Sequence, residues 1–248
     1  MRSQRLARCE VRSALAVAAS LVCPGALGLV GINLDIDNNT VPPYAGGGVP
    51  SASFGAAAGQ PGFWNGMTGS NGDHGLLRDL NGQLSTVRMI VEDFSGSTGA
   101  WGYLGNTGDY ALLLNDGADT WFNGRVRFTG VPNGAYRVFT YAVKPHASEV
   151  HPVRVSVSNA AQGQNPQTVT GPMPQNQFIY LQTHAIHDIL VSNNEMVVSF
   201  QRDANVYGTL LNGLQIVPVP EPTTLTALCA LIAGLGLRPG SRRRGVRD

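Results

Sequence analysis

The middle of this sequence consists of short segments in which apolar and polar residues alternate, and this pattern limits the possible folds more than any other feature. Segment 125–129 places Val126 and Phe128 on one face and two arginines on the other. A period of two is typical of a strand with one buried face. Other predicted strands are 30–36, 85–92, 136–143, 153–158, 178–183, 196–200 and 210–217. About eight short strands predict an all-β protein, an antiparallel β-sandwich of the jelly-roll type, with helices only in the two terminal segments.

Turn-forming residues separate these strands. In Val131-Pro132-Asn133-Gly134, proline presets φ and Asn-Gly accepts the positive φ of a tight turn. We therefore expect 124–130 and 135–143 to form an antiparallel hairpin. Region 41–85 is rich in glycine, alanine and asparagine and predicts long loops at one rim of the sandwich, where binding residues tend to lie.

The distribution of charge excludes one class of partner. The net charge of +1 comes from arginines near the two ends, because residues 31–217 contain eight basic and thirteen acidic residues, a balance of about −5. Nucleic-acid binding requires a basic surface, so no nucleic-acid partner is expected. Cys9, Cys23 and Cys229 all lie outside 31–217, so that segment offers no disulfide, thiolate metal site or cysteine nucleophile.

The C-terminal segment 218–248 has three parts. In order these are Pro220-Glu221-Pro222, an apolar run over 223–237, and Arg242-Arg243-Arg244. The apolar run would span about 22 Å as a helix, which is less than the roughly 30 Å hydrocarbon core of a bilayer. It predicts a short membrane helix whose basic end stays in the cytoplasm.

Together these three parts resemble the PEP-CTERM sorting signal of exported bacterial proteins. In that family an exosortase-type transpeptidase recognises and processes the tail in the membrane, usually in bacteria that make an extracellular polysaccharide matrix. The match covers 218–244, and Arg238-Pro-Gly-Ser departs from it by splitting the basic cluster. The resemblance implies an exosortase-type partner, a transient inner-membrane anchor and a final location at the cell surface or outside the cell. The alternative is an ordinary C-terminal tail anchor.

The N-terminus also indicates export. Four arginines, an apolar run over 13–22, the helix-breaking Pro24-Gly25 and small residues after it are typical of a secretory signal peptide, with cleavage between Ala26 and Gly31. Such a segment implies the Sec translocon as a partner. The predicted organisation is a signal peptide over 1–30, a β-sandwich domain over 31–217 and a sorting tail over 218–248.

A second resemblance lies inside the predicted domain. Gly134-Ala135-Tyr136 on a middle strand and Leu211-Asn212-Gly213-Leu214 on the last strand resemble the malectin-like and galactose-binding-like jelly rolls, over about 84–217. The resemblance implies the sandwich fold and carries over no binding residues.

Three tryptophans are the main candidates for ligand binding. Trp64, Trp101 and Trp121 each have Gly, Asn or Asp nearby in loop-like sequence. An aromatic ring stacks on the C–H face of a sugar while neighbouring amides and carboxylates bind its hydroxyls. The candidate glycan-binding residues are Trp64, Trp101, Tyr103, Asn115, Asp116 and Trp121. The alternative for each tryptophan is that it fills an end of the sandwich core.

One metal site is a candidate, and no other cofactor is expected. Asp35, Asp37 and Asn39 offer the oxygen ligands that Ca²⁺ takes, without the spacing of an EF-hand loop. A solvated strand end is the other interpretation. A second possible oxygen cluster comprises Asp109, Asp116 and Asp119.

Catalytic signals are scarce. His184 and His187 are three residues apart and would lie on opposite faces of a strand. The sequence has no zinc-protease motif, nucleophile elbow or phosphate-binding loop. No catalytic residue is predicted.

These observations favour an exported, non-catalytic β-sandwich that binds carbohydrate at the cell surface or in the extracellular matrix, with extracellular polysaccharide as its partner. Two alternatives stay open: a structural surface or matrix component without a specific ligand, and a carbohydrate-active hydrolase or lyase, which would need two carboxylates facing each other across a cleft.

Overall fold

The computed structural model describes residues 28–36, 48–67, 71–94, 97–100, 105–144, 150–203 and 209–220. The predicted signal peptide up to residue 27 and the sorting residues from Glu221 onward, including Pro222, Arg242, Arg243 and Arg244, lie outside the described residues. In chain order the elements are β1 (Ile32–Asp35), β2 (Trp64–Gly66), β3 (Gly72–Arg78), β4 (Leu84–Glu92), β5 (Ser97–Ala100), α1 (Gly108–Leu114), β6 (Asp116–Thr120), β7 (Asn123–Thr129), β8 (Gly134–Tyr141), β9 (Val153–Val157), β10 (Gln167–Val169), β11 (His184–Val191), β12 (Glu195–Arg202), β13 (Thr209–Leu211) and β14 (Gly213–Pro218).

The strands form two large sheets and one small one. The five-stranded sheet has the order β11-β8-β14-β1-β2, and the six-stranded sheet has the order β10-β9-β12-β7-β4-β3. A three-stranded sheet, β13-β6-β5, completes the fold. All pairs are antiparallel except β1 with β2. The predicted antiparallel β-sandwich is confirmed, and one short helix, α1, is added within it.

The alternating pattern produces the core between the two large sheets. Val126 and Phe128 of β7 and Tyr136 and Val138 of β8 are at most 1% exposed and belong to one hydrophobic cluster. Burying an apolar side chain of this size contributes about 1.5–3 kcal/mol. Because the domain lacks cysteines, this burial is the main stabilising term.

The predicted hairpin between β7 and β8 is wrong. β7 pairs with β4 and β12 in one sheet, whereas β8 pairs with β11 and β14 in the other. The connection crosses the core instead: Val131 donates its backbone N–H to the Asn194 carbonyl at 3.1 Å, and the Tyr136 hydroxyl donates to the Pro132 carbonyl at 2.8 Å. A turn motif marks a chain reversal, but it does not determine whether the strands pair side by side or face each other.

Three other segments differ from their predicted structure. Region 41–85 is not all loop, because it contains β2, β3 and the start of β4. Residues 178–183 form a tight turn rather than a strand, with a single bridge between Tyr180 and His184. The strand predicted over 210–217 is divided into β13 and β14, which lie in different sheets.

Asn212, between these two strands, holds the chain at the point where it changes sheets. Its Oδ1 accepts from the Val143 N–H at 2.8 Å, and its Nδ2 donates to the carbonyls of Leu114 and Asp116 at 3.2 and 2.7 Å. The Asn-centred motif of the last strand therefore has a structural role.

Amide side chains close the two open edges of the sandwich. At one edge, Asn65 on β2 accepts from the backbone N–H of Arg78 at 2.8 Å and donates to its carbonyl at 2.9 Å. At the other edge, Gln167 on β10 accepts from the N–H of Ile186 at 3.0 Å and donates to its carbonyl. Each amide occupies the position of a neighbouring strand, which satisfies the edge backbone and blocks pairing with another chain.

Candidate functional site

The outer face of the five-stranded sheet is divided into a covered half and an open half. In the covered half, Trp64, Phe139 and Tyr141 lie beneath segment 48–63, helix α1 and the turn around Phe178. The covering rings contact one another: Phe54 and Tyr110 have centroids 5.2 Å apart, and those of Tyr110 and Phe178 are 4.9 Å apart. This half forms a second hydrophobic core.

Trp64 belongs to this second core, so its predicted role as a glycan platform is wrong. It is 2% exposed, and its Nε1 donates to the Phe54 carbonyl at 3.2 Å. Asn65 and Gly66, which follow the tryptophan, belong with it to the short strand β2 rather than to an exposed loop.

A network of buried amides joins the covering segment to the sheet. The Nε2 atoms of Gln60 and Gln215 donate to Asn33 Oδ1 at 3.0 and 2.9 Å, and the Tyr141 hydroxyl donates to Gln215 Oε1 at 2.5 Å. The Ala57 N–H donates to the same hydroxyl at 2.9 Å. Burial raises the pKa of Tyr141 far above its usual value, so the ring stays neutral.

The open half contains a depression of about 320 Å³. Its base consists of Arg137 from β8 and of Ile186 and Asp188 from the edge strand β11. Its sides consist of Gly163, Gln164, Gln167 and Tyr180. This shallow depression offers a ligand one aromatic ring for stacking, one aliphatic side chain and several hydrogen-bonding groups.

An ion pair lies at the base of this depression. Arg137 Nε donates to Asp188 Oδ1 at 2.7 Å, and Arg137 Nη2 donates to Oδ2 at 3.3 Å. The hydrogen bond from Arg137 holds the pKa of Asp188 below its usual value and raises the pKa of Arg137. Gln164 orients the carboxylate further, because its Nε2 donates to Oδ2 at 3.3 Å. Both charged groups are therefore fixed while about half of each side chain stays exposed.

Tyr180 is held on a rigid turn at the edge of the depression, with 52% of its surface exposed. The Thr183 hydroxyl accepts from the Ile179 N–H at 2.9 Å, and the Thr183 N–H donates to the Ile179 carbonyl at 2.8 Å. Behind the Tyr180 ring, the buried His184 imidazole lies 6.3 Å away in an edge-on arrangement. The backbone of this turn is therefore held by hydrogen bonds, and it places the exposed Tyr180 ring at the edge of the depression.

The two histidines of β11 lie on opposite faces of the strand. His184 faces the aromatic cluster and His187 faces the core between the sheets, and the two are 5% and 0% exposed. Burial lowers the pKa of each to about 4, so both imidazoles are neutral near pH 7.

Of the other predicted glycan-binding residues, those that the structure describes do not form a site together. Asn115 and Asp116 are fully buried, so the prediction that they contact a ligand is wrong. The backbone carbonyl of Asp116 accepts from Asn212, and Asn115 Oδ1 accepts from Asn106 Nδ2 at 3.1 Å. Trp121 is 55% exposed on the connection between β6 and β7. Trp101 and Tyr103 lie outside the described residues.

Of the three candidate Ca²⁺ ligands, the structure describes Asp35 alone. Asp35 is fully buried, which contradicts the solvated strand end, while Asp37 and Asn39 lie outside the part of the chain that the structure describes. Within that part, no three His, Cys, Asp or Glu side chains are grouped as ligands for one ion, so the alternative cluster of Asp109, Asp116 and Asp119 is wrong. Among the described residues, no helix is long and apolar enough to cross a bilayer.

Sequence reasoning missed the residues of the depression for identifiable reasons. Tyr180 lay within a segment predicted as a strand, and Gln164 and Gln167 carry no motif. Arg137 and Asp188 are 51 positions apart, and only the register of β8 with β11 places them opposite each other.

No protein-family profile and no curated protein matches the sequence. Among solved structures, TmCBM61 in complex with β-1,4-galactotriose is 13% identical, covers 54% of this chain and 90% of its own, and has a TM-score of 0.31. Protein YXIM from Bacillus subtilis is 11% identical, covers 76% and 40%, and has a TM-score of 0.35. Xylanase 10B of Clostridium thermocellum, complexed with xylohexaose, is 11% identical, covers 59% and 24%, and has a TM-score of 0.25. Because these identities and TM-scores are low, the similar structures assign neither a fold nor a function to this chain. The β-sandwich is established by the strands described above.

Proposed function

We propose that this chain is an exported, non-catalytic β-sandwich that binds carbohydrate through the depression on the open half of the five-stranded sheet. The observation that carries this proposal is the pairing of Tyr180, held on a rigid turn, with the fixed ion pair of Arg137 and Asp188 in one depression. A phenol ring stacks on the apolar face of a sugar, and the planar guanidinium and carboxylate bind adjacent hydroxyls.

The single carboxylate that lines the depression favours a binding role over hydrolysis. Cleavage of a glycosidic bond normally requires two carboxyl groups on either side of the bond. The residues lining the depression include one carboxylate, Asp188, and its low pKa and its partner Arg137 make it unsuited to donate a proton.

Export and sorting are the second part of the proposal. The signal peptide over 1–30 and the Pro220-Glu221-Pro222 tail would deliver the domain through the Sec translocon and an exosortase-type enzyme to the cell surface. There, extracellular polysaccharide would be the ligand. Strand β14 ends at Pro218, and the Val219 N–H still donates to the Ala135 carbonyl, so the domain reaches within one residue of the sorting motif.

Native affinity electrophoresis of the full-length chain tests the binding proposal. The gels contain soluble galactan, xylan, mixed-linkage β-glucan or galactomannan. We expect at least one polysaccharide to retard the wild-type chain, Tyr180→Ala to reduce its affinity about tenfold, and Tyr180→Phe to retain it. Leu190→Ala is the matched control, because Leu190 is 62% exposed on the same face of β11 but does not line the depression. Equal loss in both alanine variants, or none in Tyr180→Ala, would contradict the assignment of the site.

A further inference from the structure

Two more aromatic rings are exposed on a different part of the sandwich. Trp121 and Phe122 are the two residues between β6 and β7, and they are 55% and 60% exposed. Single exposed apolar side chains are common, but two large exposed rings at consecutive positions are a feature that suggests a binding surface.

The turn that carries these rings is held in place. The Thr120 hydroxyl donates to the Asn123 carbonyl at 3.0 Å across the turn, and the Arg202 N–H donates to the Phe122 carbonyl at 3.2 Å. The Arg202 guanidinium lies 4.9 Å from the centre of the Phe122 ring, a cation–π contact that fixes the ring. The Phe122 ring therefore loses little freedom when a ligand stacks on it.

A polar depression of about 210 Å³ adjoins this turn. It lies over the paired strands β7 and β12 and is lined in part by Asn123, Arg125, Ser199 and Gln201. Asn123 directly follows Phe122 in the chain, so amide, hydroxyl and guanidinium groups lie beside the aromatic turn. The Arg125 guanidinium is fixed by ion pairs to Glu92 and Asp93, both at 3.0 Å.

We propose that Trp121, Phe122 and this depression form a second carbohydrate-binding site, so that one molecule bridges two polysaccharide chains. The inference rests on the proposed function, because it assigns the same class of ligand to both sites. Aromatic rings beside amides and a fixed guanidinium fit a hydroxyl-rich chain better than an apolar protein surface, which would leave those polar groups without hydrogen-bond partners.

The position of the two sites makes the molecule divalent. Arg137, Ile186 and Asp188 lie on the outer face of the five-stranded sheet, whereas Arg125, Ser199 and Gln201 lie on the outer face of the six-stranded sheet. The two sheets and their shared core, with a spacing of about 10 Å between sheets, separate the two faces. A short sugar segment cannot reach both sites, so two chains, or distant parts of one chain, are required.

The experiment measures binding and bridging separately on the full-length chain, with the same four polysaccharides. Affinity electrophoresis reports binding, and turbidity of a mixture of protein and polysaccharide reports bridging. The variants are Tyr180→Ala, the pair Trp121→Ala with Phe122→Ala, and Leu190→Ala as the control. We expect each of the first two variants to remain retarded but to lose turbidity, while Leu190→Ala remains like wild type.

The outcomes separate this inference from the proposed function. If the variant with both Trp121→Ala and Phe122→Ala keeps the turbidity and the affinity of the wild type, the second site is overturned and the first is not. Unchanged binding in Tyr180→Ala, with complete loss in the Trp121 and Phe122 variant, would overturn the first site and the bridging. No retardation of the wild-type chain by any of the four polysaccharides would overturn both. Self-association without polysaccharide in sedimentation velocity, abolished in the Trp121 and Phe122 variant, would assign the patch to a second copy of the chain instead.

Discussion

The two halves of the outer face of the five-stranded sheet share strands, but one half is covered by other segments and the other is open to solvent. Along β8 the side chains on this face are Arg137, Phe139 and Tyr141, so the face changes from charged to aromatic within four residues. The covering segment and α1 lie over the aromatic end and leave the charged end open. On this face of β8, aromatic residues mark the part that other segments cover, and the charged residue marks the part that stays open.

The largest expected effect separates a buried tryptophan from an exposed one. Trp64→Ala removes a ring from the second core and is expected to destabilise the protein by roughly 3–5 kcal/mol. Trp121→Ala removes an exposed ring and is expected to change stability by no more than about 0.5 kcal/mol. Urea unfolding followed by circular dichroism measures both. Similar midpoints for the two variants would mean that the covered half contributes no more to stability than the surface.

The tryptophans also show how far sequence reasoning reaches. Period-two alternation correctly predicted an antiparallel sandwich, because the segments 125–129, 153–158 and 196–200 each bury one face and leave the other half-buried or exposed. It did not distinguish Trp64 from Trp121, because both have polar or small neighbours. The burial of Trp64 depends on segment 48–63 and helix α1 folding over the sheet, which no local pattern indicates. The site was missed for a similar reason, since strand register and not local sequence brings Arg137 to Asp188.

The second prediction compares the two histidines of β11 as the pH falls. In the unfolded chain a histidine titrates at about pH 6.5, whereas in the folded protein both have a pKa of about 4. Between these values the unfolded state binds more protons, so stability falls as pH falls, by about 1.4 kcal/mol per pH unit for each histidine. Urea midpoints measured from pH 7 to pH 4.5 should decrease accordingly.

His187→Leu and His184→Phe each should remove about half of this pH dependence. Burial raises the pKa of Asp119, so the contribution of Asp119 to stability is lost as pH rises, which is opposite to the effect of the histidines. The slopes of stability against pH are therefore compared between each variant and the wild type. A slope that neither variant changes would show that other groups titrate in this range.

The third prediction compares the two amide side chains, Asn65 and Gln167, that bind backbone groups at the edges of the sandwich. Asn65→Ala and Gln167→Ala each leave a backbone N–H and carbonyl of an edge strand without their side-chain partner, which is expected to cost roughly 1–3 kcal/mol. Only Gln167 lines the open depression, so Gln167→Ala should also weaken polysaccharide binding, whereas Asn65→Ala should not. Thermal unfolding and affinity electrophoresis on the same samples distinguish the effects. Equal loss of binding in both variants would indicate that edge closure, rather than the glutamine itself, supports the site.

The last prediction concerns the ion pair in the open half, where a small effect on stability is expected. Arg137 and Asp188 are 49% and 43% exposed, so solvent screens their attraction, and Arg137→Gln or Asp188→Asn should change stability by no more than about 1 kcal/mol. Both variants should nevertheless weaken polysaccharide binding, because each removes a charged hydrogen-bonding group from the base of the depression. A double-mutant cycle measures the coupling between the two residues in stability and in binding. Because the ion pair orients both groups for the ligand, coupling should be larger in binding than in stability. Coupling in stability alone would assign the pair to the fold and leave Tyr180 without its polar partners.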